Sequence, residues 1–216
     1  WKARRETRKF DYEAEQALID SIVQMPAPSS VSGPLVSVVM PAYNRAEAIR
    51  RAIHSVQSQS MADWELIVVN DGSTDGTRRV AQAYAADDDR IAVLDREHRG
   101  VSAARNTALR HARGRWIAFL DTDNTWSPHY LEVMTKALSA AGVRHGYGAQ
   151  RIEDEEGISY RAMMQSDMLD VGNHIDLNVW MATRDVLATI GGFDEGLRRA
   201  VDYDLLWRVS DLETPH

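Results

Sequence analysis

The chain has 216 residues, 44% apolar and 26% charged, with a formal net charge of -7 and no cysteine. That is the make-up of one globular domain, or of one domain with an appendage, and it excludes a disulfide framework, a cysteine nucleophile and thiolate zinc sites. The acidic balance argues against broad nucleic-acid binding, which needs a basic surface, so an anionic substrate has to be met by local cations or a metal ion. No run approaches the ~18 apolar residues that cross a bilayer, and no signal peptide opens the chain. The segment is therefore expected to be cytoplasmic, with any membrane association carried by parts of the protein outside it. It begins at Trp1 and stops at His216 soon after a helical pattern, so it reads as a piece of a longer protein, cut at both ends, with further domains of the same chain expected.

Residues 1–25 are charged at first (Lys2, Arg4, Arg5, Glu6, Arg8, Lys9) and then place Leu18, Ile19, Ile22 and Val23 at helical spacing. Pro26 to Pro34 is a linker by composition. An arm with its linker over 1–33 therefore precedes a main domain over 34–216. Leu35 to Met40 is an apolar strand, after which Asn44-Arg45-Ala46-Glu47 reads as a capping box for a helix with Ile49, Ala52, Ile53 and Val56 on one face. Glu65 to Val69 is a second strand; its loop, Asn70 to Gly76, leads into a helix bearing Val80, Ala81 and Tyr84. Ile91 to Leu94 is a third. Ser102 is the expected cap of a helix through Ala103, Ala104, Ala108 and Leu109, with Gly114 as its stop. Trp116 to Leu120 is a fourth strand, and Ser127-Pro128 opens a helix with Leu131, Met134, Leu138 and Ala141 inward and Gly142 at its end.

Continuous apolar strands alternating with amphipathic helices indicate a mostly parallel α/β sheet covered on both faces. Ligands of such sheets bind beyond the carboxyl ends of the strands. Three polar clusters each follow a strand directly: Ala42-Tyr43-Asn44, Asn70-Asp71-Gly72-Ser73 and Asp121-Thr122-Asp123. They should converge on one edge. Asp121 and Asp123, two apart in extended chain, project to one side, where two carboxylates are costly to hold together without a cation. Mg²⁺ or Mn²⁺ with a diphosphate suits that pair. On its own, D-x-D is common and often marks only a solvated turn.

Val36 to Asn44, Val69 to Asp75, Gly100-Val101-Ser102-Ala103-Ala104-Arg105-Asn106 and Phe119 to Asp123 resemble, in order and spacing, the signature blocks of family 2 glycosyltransferases of the GT-A fold. The resemblance runs from 35 to about 208 and implies a Rossmann-like nucleotide-binding half over 34–125 and an acceptor half over 126–216. It implies that Pro41, Ala42, Tyr43 and Asn44 lie against the nucleotide, that Asp71 bonds the base, and that Arg105 contacts the diphosphate region. An arginine tied to a loop carbonyl or to Asp71 is the competing reading of Arg105. Asp121, Thr122 and Asp123 would hold ribose and a Mn²⁺ or Mg²⁺ ion, with Asp123 the direct ligand and Asp121 mainly holding the nucleotide sugar. Asn70 stands where the family has a first aspartate, keeping an acceptor but losing a charge.

In the second half, Asn178 to Thr183 reads as a strand, Asp185 to Ile190 as a short helix, and Gly191-Gly192-Phe193-Asp194-Glu195 is similar to the family's G-G-F-D-E turn. Asp202 then holds the position of the catalytic base, while Val201 replaces the customary glutamate and leaves no neighbouring carboxylate to orient it. Asp204 competes for that role, or serves the helix start. His174 and Asp176 are weaker candidates for acceptor or metal contact, with a solvated loop the simpler reading. Trp126 and Trp180 are core residues by default, sugar platforms otherwise. Asp87-Asp88-Asp89 reads as a solvated turn, and Glu153 to Gly157 as a hairpin tip.

The resemblance implies metal-dependent, inverting transfer of a sugar from a nucleotide-diphosphate donor, UDP-sugars being favoured, to a hydroxyl on a glycan, lipid-linked or small-molecule acceptor. A sugar nucleotidyltransferase competes, although Pro41 to Arg45 lacks the glycine-rich basic loop it would show. A catalytically silent nucleotide-sugar binding module is the alternative from another class, kept open by Val201. No G-x-G-x-x-G follows the first strand, which disfavours a dinucleotide oxidoreductase.

Overall fold

The computed structural model describes residues 12–28, 32–148, 150–154, 157–161 and 176–213. The basic stretch before Tyr12, the tip residues Glu155 and Glu156, and His174 lie outside them. Strands β1 (Val36–Ala42), β2 (Trp64–Asp71), β3 (Ile91–Arg96) and β4 (Trp116–Phe119) run parallel, and β5 (His145–Tyr147) and β8 (Trp180–Thr183) complete a sheet of order β3-β2-β1-β4-β8-β5. The last two pairings, β4 with β8 and β8 with β5, are antiparallel. A separate hairpin joins β6 (Gln150–Asp154) to β7 (Gly157–Arg161), as the acidic tip predicted.

The apolar strands are explained by two cores. Val36, Val38, Met40, Leu66, Val68, Trp116 and Ala118 point to one face, where α2 (Ala48–Gln57), α3 (Thr77–Asp87) and α5 (Tyr130–Ala141) cover them. Val39, Ile67, Val69, Ile117 and Phe119 point to the other, under α4 (Val101–His111), α6 (Arg184–Ile190) and α7 (Val201–Glu213). Alternation of period two thus fills both faces, each large side chain contributing roughly 1.5–3 kcal/mol by leaving water. Helix α1 (Tyr12–Val23) packs on α5, where the Lys136 ammonium donates to the Val23 carbonyl at 2.6 Å and pairs with Glu132 at 2.9 Å. Among the described residues no helix is long and apolar enough to cross a membrane.

Several local expectations are revised. Asn44 does not open a capping box: it sits at φ 51 and its side-chain oxygen accepts from Thr74 N–H at 2.9 Å. The N–H groups of Arg45 and Ala46 are taken instead by Thr77 Oγ1 and Asp75, so the β2–α3 loop satisfies the approach to α2. Ser102 lies inside α4, not at its cap, and its hydroxyl has no partner among the described residues. Gly114 is not a helix stop, since α4 ends at His111; a Cβ there would lie 2.4 Å from Ser37 N, so glycine allows the chain to cross β1 closely. Asn178 and Val179 belong to a 3-10 turn (Leu177–Val179), and β8 starts only at Trp180. The Asp176 carboxylate caps that turn by accepting from Asn178 N–H at 2.9 Å. Asp88 is not merely solvated: hydrogen bonds from Arg90 and Gln57 hold its carboxyl down to about 2.

Candidate active site

Strand β1 has β2 on one side and β4 on the other, so the loops leaving β1 and β4 diverge and open a crevice at the carboxyl edge. A cleft of about 330 Å³ occupies that edge, between Pro41 to Tyr43, Asp71, His98, Gly100 and Asp121 to Asp123. The three polar clusters do converge. A hollow of about 480 Å³ lies elsewhere, over Arg50, Arg51 and His54 of α2, and carries none of the motif residues, which line the smaller cleft.

Asp71 is buried, and its carboxylate is engaged inside the fold. It accepts from the N–H groups of Arg99 at 3.1 Å and Gly100 at 2.8 Å, and pairs with Arg96 at 3.1 Å and His98 at 2.9 Å. It therefore closes the amino end of α4, where a carboxylate meets both free N–H groups and the positive end of the helix dipole. His98, which the sequence reading passed over, stacks on Tyr43 with ring centroids 4.0 Å apart and both rings in the cleft. Asn70 donates to Asp95 at 2.8 Å and accepts from Ser73 N–H; an aspartate there would set two carboxylates against each other.

Among the described residues, Arg105 meets neither a loop carbonyl nor Asp71. Its guanidinium, 3% exposed, donates to Asp202 Oδ1 at 2.6 Å and to the Asp121 oxygens at 3.0 and 3.3 Å. The two carboxylates thus share one planar fork, a geometry arginine can provide and lysine cannot. Asn178 completes the group: its amide oxygen accepts from Asp121 N–H at 2.6 Å, and its amide nitrogen donates to Asp121 at 3.3 Å and Asp176 at 2.8 Å. Burial pushes the Asp202 carboxyl above its usual range; Arg105 opposes this, and the Asp121 and Asp176 carboxylates add to it. The missing glutamate at Val201 therefore does not leave Asp202 without an orienting partner. Asp204 is drawn off to Arg208, 2.6 Å away, whose guanidinium also donates to the Ile190 carbonyl.

The G-G-F-D-E turn is fastened to the same helix. Asn106 donates to the Phe193 carbonyl and accepts from Phe193 N–H, both at 2.9 Å, and donates to Glu195 at 3.1 Å. The Phe193 ring in turn lies under the Arg105 guanidinium at 5.2 Å. Neither Asn178 nor the task of Asn106 has a local sequence signal, because each is defined by partners far along the chain. Trp126 and Trp180 are core residues: Trp126 donates its ring N–H to the Asn178 carbonyl at 2.7 Å, and Trp180 stacks on Phe119. Thr122 is buried, whereas Asp123 is exposed, with the Asn124 amide at 3.3 Å.

Among the described residues no three His, Asp or Glu side chains group into a cage for a cation. Asp121 has both oxygens engaged by Arg105 and Asn178. The available donor is Asp123, and one exposed carboxylate fits Mg²⁺ or Mn²⁺ when diphosphate and water supply the other oxygens.

A doubly wound α/β domain with a cleft at its switch point and carboxylates on both sides of it defines the GT-A class. The chain belongs to glycosyl transferase family 2, whose model matches residues 37–201. It is 40% identical over 125 residues to the UDP-Glc:alpha-D-GlcNAc-diphosphoundecaprenol beta-1,3-glucosyltransferase of Escherichia coli, covering 57% of this chain and 49% of that one. It is 33% identical over 196 residues to chondroitin synthase of Escherichia coli, covering 83% of this chain and 27% of that one. The fold matches a Pyrobaculum calidifontis mannosyltransferase solved with GDP-Man and Mn²⁺, with a TM-score of 0.65 at 21% identity over 93% of this chain and 59% of that one. The chain spans half or less of the length of these curated relatives.

Proposed function

We propose that this chain carries the donor cleft and the base of an inverting glycosyltransferase, which moves a sugar from a nucleoside diphosphate, a UDP-sugar, to an acceptor hydroxyl. The observation that carries the reading is the arrangement of carboxylates. Asp123 stands exposed on the donor side, and Asp202 is held by one oxygen while, among the described residues, its Oδ2 meets no hydrogen-bond donor.

Pro41 to Tyr43 and His98 would flank the nucleotide, and Asp71 would shape that end of the cleft through the loop it fastens. Asp123 would hold a Mg²⁺ or Mn²⁺ ion, which when bound offsets the charge growing on the diphosphate. Asp202 accepts the acceptor's hydroxyl proton as that oxygen bonds to C1 of the sugar, and the C1–O bond to the diphosphate breaks with its electron pair on the departing nucleotide. The use of Mn²⁺ is supported by the mannosyltransferase neighbour. A UDP-sugar donor and a lipid-linked or glycan acceptor are supported by the glucosyltransferase and chondroitin synthase relatives.

A thermal-shift panel of nucleotide sugars with Mn²⁺ tests the donor. UDP-sugars should stabilise the wild type and fail to stabilise Asp123→Ala, and indifference to every nucleotide would sink the assignment. Asp202→Asn should keep donor affinity and lose turnover; a wild type that binds donor and never turns it over would favour the silent module.

A further inference from the structure

The geometry points to Arg105 as a positioning residue that sets the base and ties it to the donor side of the cleft, and not as a contact of the diphosphate. The inference rests on Asp202 being the base. Arg105 sits in the first turns of α4, beneath the sheet edge, and only 3% of its side chain reaches solvent. Both terminal nitrogens are engaged, one by Asp202 and one by Asp121, and the Phe193 ring closes one side of the plane. Its Nε is buried with no partner among the described residues. Burying a guanidinium with one donor unmatched costs stability, which points to the fork's value in fixing two carboxylates from distant parts of the chain.

The fork is itself held from behind. Asn106, the next residue on α4, locks the Phe193 backbone by two hydrogen bonds, so the ring that supports Arg105 is fixed by the same helix. Asp71 closes that helix at its start. With Oδ1 of Asp202 anchored on the guanidinium, Oδ2 is, among the described residues, the oxygen left for the acceptor proton. Asp121 is fixed on the opposite nitrogen, and Asp123 lies beyond it in a turn closed by the 3.1 Å hydrogen bond from Asn124 N–H to the Asp121 carbonyl. A displacement of the base by 1 Å is enough to lower turnover strongly.

The test compares wild type with Arg105→Lys and Arg105→Met, measuring UDP affinity with Mn²⁺ by calorimetry and steady-state donor hydrolysis or transfer. Circular dichroism establishes that each variant is folded. A positioning role predicts that kcat in Arg105→Met falls by about 10²-fold, the lower end of a general base's contribution, with UDP affinity and donor KM within about threefold of wild type. Arg105→Lys should recover part of kcat, since one ammonium can hold one carboxylate but not fork to two. A loss of UDP affinity or a rise in donor KM by more than about tenfold, with kcat retained, would make Arg105 a diphosphate contact and overturn the inference. So would wild-type kcat in both variants. If Arg105→Met does not fold, Phe193→Leu decides: it leaves both ion pairs and removes the ring, and should lower kcat without changing donor KM, whereas unchanged kcat overturns the support of the fork. Wild type that binds no nucleotide overturns the glycosyltransferase reading itself, which separates that failure from a failure of the role of Arg105.

Discussion

The Asp71 carboxylate accepts a 2.8 Å hydrogen bond from Gly100 N–H, so the end of β2 caps α4 across 29 positions of sequence. Everything α4 holds in the site, Arg105 and Asn106 above all, depends on where that cap places its first turn. Asp71→Ala strips one member from a buried charged group and should cost about 3 kcal/mol. For a chain of this length that is a fall in Tm of roughly 6–12 °C. Calorimetric or dichroism melts check it, and an unchanged Tm would show that water replaces the cap.

Glu65 offers a stability change with a defined pH sign. Burial opposes its ionisation, but hydrogen bonds from Ser37 Oγ and from Arg113 outweigh burial and hold the carboxyl below its ordinary value. A depressed carboxyl stabilises the fold above its unfolded pKa and loses that contribution as pH falls through the folded pKa. Glu65→Gln should therefore be less stable than wild type by about 1–3 kcal/mol at pH 7, the scale of a lost buried hydrogen bond to a charged group. The gap should narrow as the pH falls below the ordinary glutamate range and close as it passes through the lowered folded pKa, where the wild-type carboxyl also protonates. Urea midpoints across pH 3 to 7 measure it.

Asp202 has the opposite sign. Burial raises its folded pKa, so the folded state binds the proton more tightly than the unfolded chain and stability falls as pH rises through the window above the ordinary aspartate value. At neutral pH, Asp202→Asn should melt no lower than wild type, and higher if Asp121 keeps Arg105 engaged, while turnover is lost. In the wild type, turnover should fall about tenfold per pH unit on the acid side, with the limb above the ~3.9 of a free aspartate. A limb at or below that value would contradict the burial argument.

Gly192 has φ +74, and a Cβ there would lie 2.6 Å from the Asn106 side-chain oxygen that fixes Phe193. Gly191, at φ +78, would meet nothing within 4 Å. Gly191→Ala should cost about 1–2 kcal/mol for the backbone alone. Gly192→Ala should cost more and also lower kcat, because Asn106 must move and Phe193 with it. Paired melts and initial rates on the two variants separate strain from displacement.

The strands and helices were legible because burial leaves a period: apolar residues on every strand position where both faces are covered, and every third or fourth on the helices. The convergence of Tyr43, Asp71 and Asp121 was legible too, since a parallel sheet brings every strand's carboxyl end to one edge. Capping was read less well. Asn44 and Ser102 stood in capping patterns, yet the N–H groups near α2 and α4 found Thr77, Asp75 and Asp71, acceptors at the start of α3, in the loop before it and at the end of β2. A local pattern names a residue able to accept a hydrogen bond but does not determine which acceptor arrives first in space.

By itself, then, the sequence determined the doubly wound frame, the edge where ligands bind and the residues that reach it, because backbone periodicity and strand order are set by local patterns of apolar and polar side chains. Only the tertiary structure decided how the charges are shared. Arg105 lies 16 positions from Asp121 and 97 from Asp202, and a single buried guanidinium joins them because α4, the end of β4 and the start of α7 dock at one point. Direct pairing at that range depends on docked geometry to within fractions of an ångström, a quantity no spacing along the chain encodes.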